Sequence, residues 1–139
     1  MKDKQEKEIS KIKIAIIGCG RISKKHIIAI LKENKRCELI AICDNNENRL
    51  KNINDFYKEN LIKNKLCFKN LNKFISYEEL INSHTKNLIS IDLIVLTTPS
   101  GLHPMQTIIA AKSGINVCTE KPMALTIDDA EDMIKACKK

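Results

Sequence analysis

The chain has 139 residues, 43% hydrophobic and 29% charged, the balance of one globular domain with enough apolar material for a core. That balance excludes an intrinsically disordered segment and a disulfide scaffold, and no uninterrupted apolar run approaches the ~18 residues of a membrane span. The net charge of +7 rests on scattered lysines, with three arginines and no tryptophan, so the clustered basic, aromatic-interleaved pattern of a nucleic-acid binder is missing.

Residues 1–11 are a polar lead-in, expected to fray. Ile12–Ile17 is an apolar run ending at Gly18, Cys19 and Gly20, the pattern of a strand buried on both faces. From Ile22 to Leu31, Ile27, Ile30 and Leu31 follow helical spacing. Glu38–Cys43 is a second buried-type strand, closed by Asp44. Asn46–Lys58 reads as a surface helix with Leu50, Ile53 and Tyr57 on one side. Residues 60–76 carry little pattern beyond a strand near Phe74–Ser76, and Tyr77–Asn82 reads as a short helix. Ile91–Thr97 is the clearest strand, broken by Pro99, Ser100 and Gly101. His103–Ser113 is predicted helical, with Met105, Ile108 and Ile109 as its apolar face. Pro104 suits its first turn and Gly114 its end. Asn116–Thr119 is a short strand. Thr126 and Asp129 form a capping box that opens a last helix through Cys137. Strands alternating with helices predict an α/β fold, a doubly wound parallel sheet, as a single domain over residues 12–139.

The turn Gly18-Cys19-Gly20-Arg21-Ile22-Ser23 follows a strand and opens a helix, the context of a dinucleotide fingerprint. Gly18 permits the tight turn, and Gly20 lets the backbone approach a pyrophosphate. The helix N-terminus then faces the anion. Ser23 replaces the third glycine as a small residue. Asp44, at the end of the second strand, is spaced to accept the adenosine ribose hydroxyls and to repel a 2′-phosphate. It argues for NAD over NADP, while Arg49 keeps NADP as the minority reading. The six cysteines have no CxxC spacing and no zinc-finger histidine, so no metal site is expected. Without an apolar run in residues 1–13 there is no secretory signal, and a reducing, cytoplasmic setting with free thiols is expected.

Two further stretches, Leu96-Thr97-Thr98-Pro99-Ser100-Gly101-Leu102-His103-Pro104 and Thr119-Glu120-Lys121-Pro122-Met123-Ala124-Leu125, complete a recognisable set. With the glycine turn they resemble the Gfo/Idh/MocA family of NAD(P)-dependent oxidoreductases over residues 12–138. The wording looks most like the branch that oxidises C3 of UDP-N-acetylglucosaminuronic acid. The resemblance implies a Rossmann NAD(P)-binding domain and a sugar or nucleotide-sugar substrate. It places Gly18, Cys19, Gly20, Arg21 and Ile22 on the pyrophosphate and Asp44 on the adenine ribose. Thr97, Thr98, Pro99, Ser100 and His103 would line the cofactor channel, and Glu120 and Lys121 would sit by the nicotinamide ribose. Lys121 is the expected catalytic residue, in proton transfer.

The chemistry of a lysine agrees with that role. One partly desolvated beside a cationic nicotinamide suits proton transfer near neutral pH and stabilises a developing alkoxide. His103 is a lesser candidate for general base; its place before a helix-start proline favours a helix N-terminal role. His26 reads as helix surface or packing, and His84 as a loop residue. Asp128, Asp129, Glu131 and Asp132 read as the acid-rich start of a helix. Family members continue into a second α+β domain that carries oligomerisation and most substrate contacts. The chain is therefore expected to be truncated before that domain, inactive alone, and oligomeric only through it. A non-catalytic NAD-binding or regulatory module is the alternative.

Overall fold

The computed structural model describes residues 10–138. The fraying expected of the lead-in falls mainly on residues 1–9, outside the described residues. The elements run β1 (Ile12–Ile17), α1 (Ser23–Lys32), β2 (Cys37–Cys43), α2 (Glu47–Lys63), β3 (Asn72–Phe74), α3 (Tyr77–Thr85), β4 (Leu93–Leu96), α4 (His103–Lys112), β5 (Asn116–Thr119) and α5 (Ile127–Cys137). A single 3₁₀ turn, Ser100–Leu102, precedes α4.

The five strands form one parallel sheet in the order β3-β2-β1-β4-β5. The chain winds outward from β1 to β3, then returns to the other side of β1 for β4 and β5. That reversal is the topological switch point of a doubly wound sheet, and ligands bind beyond the strand ends there.

Successive side chains of a strand point to opposite faces. Ile14 and Ile16 of β1 pack with Ile27 and Ile30 of α1 and with Ile53 and Tyr57 of α2. Ala15 and Ile17 pack on the other face with Leu80 and Ile81 of α3 and Ala110 of α4. Both faces of β1 are thus covered, which is why its sequence is a near-continuous apolar run. Each fully buried isoleucine contributes about 1.5–3 kcal/mol of transfer free energy.

Local signals account for most helix boundaries. Asn46, Ser76 and Thr126 accept backbone N–H bonds at the starts of α2, α3 and α5, and Pro104 lies in the first turn of α4. α2 runs one turn beyond the predicted Lys58, to Lys63, because Leu61 adds a buried contact. β3 lies two residues earlier than predicted.

The inward face of α4 is not the predicted one. Met105 and Ile109 are exposed, whereas His103, Gln106, Thr107 and Ala110 are buried. Apolar periodicity misleads here because His103 and Gln106 meet hydrogen-bond partners inside, which removes the penalty of burying them. His84 belongs to α3 rather than to a loop, and its Nδ1 accepts the Ile91 N–H at 3.1 Å.

Candidate functional site

The glycine turn leaves β1 at Gly18, whose φ is +95°. A Cβ there would stand 2.8 Å from the Thr97 carbonyl carbon and oxygen and 2.9 Å from the Thr98 nitrogen. Only glycine lets the turn pass so close to the end of β4. Thr97 reinforces the crossing, its hydroxyl lying 3.0 Å from the Ile17 carbonyl oxygen and 2.5 Å from that of Gly18. Gly20 differs: no atom lies within 4 Å of its Cβ position, so its bare backbone faces open space. Ser23 is fully buried, and its hydroxyl donates to the Gly20 carbonyl at 2.6 Å.

Asp44 holds this turn from the end of β2. One carboxylate oxygen accepts the Cys19 N–H at 2.7 Å and the other the Asn46 N–H at 2.8 Å. A carboxylate has about four acceptor positions, so two remain for a ligand. Cys19 and Cys43 flank this carboxylate, and burial, with Asp44 beside it, pushes each thiol up to about 12. Both are inert neutral packing groups.

α1 is the helix that opens onto the turn. No side chain caps its N-terminus and its first turn has no acidic residue, in contrast to α2, α3 and α5. The Ser23 and Lys25 N–H groups donate to the Gly20 and Ile22 carbonyls, but with no capping side chain or acid there, the positive end of α1 at the mouth of the cleft suits an anion.

A cleft of about 1000 Å³ lies over the carboxyl ends of the strands, the upper end of the range for ligand sites. Gly18, Gly20, Arg21 and Asp44 line one side, and Thr97, Thr98 and Pro99 the other. Of the remaining expected residues, Cys19 is buried behind the turn, and Ile22 and Ser100 are half-buried beside the cleft rather than in its lining. Glu120 and Lys121 follow β5, next to β4, and also lie outside that lining.

His103, expected along the channel, has no exposed surface. Its Nε2 is 2.9 Å from the Thr98 carbonyl oxygen, and its Nδ1 is 3.2 Å from those of Pro122 and Met123. It ties the loop after β4 to the loop after β5 from beneath, and a ring so enclosed cannot reach a substrate. The Lys121–Pro122 bond is cis. The Lys121 N–H donates to Glu120 Oε2 at 3.3 Å.

Several lining residues carried no motif. Ser76 and Tyr77 line the cleft beyond β3, and Gln106 lines it from α4. The Tyr77 hydroxyl donates to the Gln106 carbonyl and the Thr98 hydroxyl to Gln106 Oε1, each at 2.6 Å. Burial pushes the Tyr77 phenol well above its ordinary value, so it stays a neutral donor. The predicted strand near Phe74–Ser76 already ends at Ser76 and Tyr77, but no motif marks either residue as facing a ligand. His26, read as helix surface or packing, makes a specific polar contact that no motif signalled: its Nε2 lies 2.7 Å from Glu120 Oε1. Thr126 and Asp129 exchange capping bonds, Asp128 and Asp129 lie in the first turn of α5, and Glu131 and Asp132 face Lys135 further along it. Among the described residues, no helix is long and apolar enough to cross a membrane, and no group of three or more His, Cys, Asp or Glu could hold a metal ion.

A parallel sheet with its glycine turn, acidic β2 terminus and uncapped α1 beneath one cleft defines a Rossmann dinucleotide-binding domain. The chain belongs to the Gfo/Idh/MocA oxidoreductase family with an NAD-binding Rossmann fold, which matches residues 12–139. It is similar to the WlbA dehydrogenase from Bordetella pertussis, solved in complex with NADH and UDP-GlcNAcA, at 37% identity and TM-score 0.74 over 93% of this chain and 34% of that one. It is also similar to the myo-inositol 2-dehydrogenase from Lactobacillus plantarum, at 28% identity and TM-score 0.69 over 93% of this chain and 33% of that one. D-apiose dehydrogenase from Paraburkholderia graminis is 26% identical over 131 residues, 94% of this chain and 30% of the relative. The chain therefore spans about a third of the length of these relatives.

Proposed function

We propose that this chain is the NAD-binding part of a nucleotide-sugar dehydrogenase that oxidises the C3 hydroxyl of a UDP-N-acetylglucosaminuronic acid type substrate. The carrying observation is the cleft at the switch point, with a helix N-terminus that no side chain caps, an open Gly20 and a buried Asp44 converging on it. The likeness to a dehydrogenase solved with NADH and UDP-GlcNAcA supports the substrate class. The inositol and apiose relatives favour a second reading, a free-sugar or inositol dehydrogenase.

The dinucleotide, when bound, supplies the hydride acceptor. The α1 amides and Gly20 would receive its pyrophosphate, and the two free acceptor positions of Asp44 its adenosine ribose. Thr97, Thr98 and Pro99 form the wall beyond β4. As the carbinol carbon gives up its hydride and the carbonyl forms, the hydroxyl proton passes to the Lys121 amine. The relatives are about three times as long as this chain, so turnover is to be measured in a polypeptide of that length.

NAD+ titration of the chain tests the binding step. Turnover of UDP-GlcNAcA, myo-inositol and free aldoses by the complete enzyme tests the substrate class. Lys121→Ala is expected to abolish turnover, a loss of at least about 100-fold, with NAD+ affinity nearly unchanged. Joint loss of affinity and turnover would make Lys121 a binding residue instead. An intact enzyme that binds NAD+ and oxidises none of these sugars would favour the non-catalytic module.

A further inference from the structure

Lys121 is exposed, yet its main chain is held from both sides. On one side, His103 lies under the Pro122 and Met123 carbonyls. On the other, the Glu120 carboxylate bridges two elements: Oε1 meets His26 Nε2 at 2.7 Å and Oε2 accepts the Lys121 N–H at 3.3 Å. The second bond is long, so on its own it would restrain the carboxylate weakly. The first is short and joins groups 94 residues apart in sequence. The His26 and Glu120 side chains are 28% and 27% exposed, so water still reaches the pair, and it is the short length of the bond that marks a defined geometry. The His26 hydrogen bond is also the main reason that the Glu120 carboxyl titrates below the ordinary range, so Glu120 meets His26 as a carboxylate. His26 lies on α1, the helix whose N-terminus opens onto the dinucleotide cleft.

We propose that His26 is a positioning residue for Lys121, acting through Glu120 and joining the helix behind the glycine turn to the proton-transfer lysine. The proposal rests on the reading of Lys121 as the proton-transfer group. His26 lies outside the lining of the dinucleotide cleft; it fixes the carboxylate that fixes the main chain from which Lys121 projects. A catalytic group misplaced by about 1 Å costs up to ~100-fold in rate.

In the complete enzyme, His26→Leu is expected to lower kcat about tenfold, with the KM for NAD+ within about twofold. His26→Gln keeps an N–H donor and is expected to restore most of the loss. In the ¹⁵N-labelled 139-residue chain, the Lys121 amide resonance is expected to move in His26→Leu and to return toward its wild-type position in His26→Gln. An unmoved Lys121 amide, an unchanged kcat in His26→Leu, or equal kcat losses in both variants would overturn the proposal. Should His26→Leu fail to fold, Glu120→Gln removes the same charged partner from a partly exposed position; a wild-type kcat there overturns the proposal, and a tenfold loss with unchanged KM supports it. Turnover surviving Lys121→Ala would overturn the role of Lys121 itself and leave the His26–Lys121 amide coupling measurable.

Discussion

Gly18→Ala and Gly20→Ala are expected to separate fold from binding within one turn. At Gly18, φ is +95°, a conformation that costs an L-residue about 1–3 kcal/mol. The added methyl would also sit 2.8 Å from the Thr97 carbonyl and 2.9 Å from the Thr98 nitrogen. These are main-chain atoms at the end of a central strand and cannot rotate away, so β1 and β4 must part, at about 1–3 kcal/mol. The entropy that alanine removes from the unfolded chain returns about 0.4–1 kcal/mol. A net loss of about 3 kcal/mol is a large share of the ~5–15 kcal/mol typical of a domain and corresponds to a fall of roughly 10 °C in Tm. At Gly20 the new methyl meets nothing, and a change within about 0.5 kcal/mol is expected. That methyl would instead occupy the space a pyrophosphate needs, weakening NAD+ binding about tenfold or more. Thermal melts followed by circular dichroism, with NAD+ titrations on the folded variants, read both effects. Equal melting temperatures for the two variants, or wild-type affinity in Gly20→Ala, would refute the division of roles.

Asp44→Ala removes the acceptor of two main-chain N–H groups and is expected to cost about 1–3 kcal/mol of stability; it should weaken NAD+ more than NADP+, and equal weakening in titrations with both would take Asp44 off the ribose. Glu120 titrates low because of His26. A carboxylate with a lowered folded pKa stabilises the fold above its unfolded value of about 4.3, and that contribution is lost as pH falls through the folded value. Wild type should therefore melt above Glu120→Gln near neutral pH, and the gap should begin to close as pH falls below the unfolded value and vanish below the folded one, which melts across the acid range would show. Cys67, Cys118 and Cys137 are exposed, whereas Cys19 and Cys43 are buried with thiols pushed up to about 12. Mass-resolved alkylation at mildly alkaline pH should label the first three quickly and spare Cys19 and Cys43 until the chain unfolds.

Signals carried by neighbouring residues were legible. The apolar runs of β1 and β4, the glycine turn, the cap at Thr126, and Asp44 at a strand end could all be placed without a structure, whereas the caps at Asn46 and Ser76 appear only in the fold. Each legible signal reflects a preference settled within a few residues: burial on both strand faces, a positive φ, or a side chain that accepts the N–H three positions on. β3 was harder to place because three residues at a sheet edge show almost no period. The face of α4 was misjudged because its buried polar residues are stable only against partners elsewhere in the chain.

The sequence by itself determined the class of fold, the position of the dinucleotide turn and the family, since these rest on local pattern and on short motifs in a fixed order. Only the tertiary structure decided that His103 is a buried tie between two loops, that Gly18 passes against Thr97, and that His26 reaches Glu120. Those contacts span 19, 79 and 94 residues respectively. They arise because the doubly wound sheet sets β1 beside β4 and β4 beside β5, and no periodicity along the chain encodes which side chains then meet.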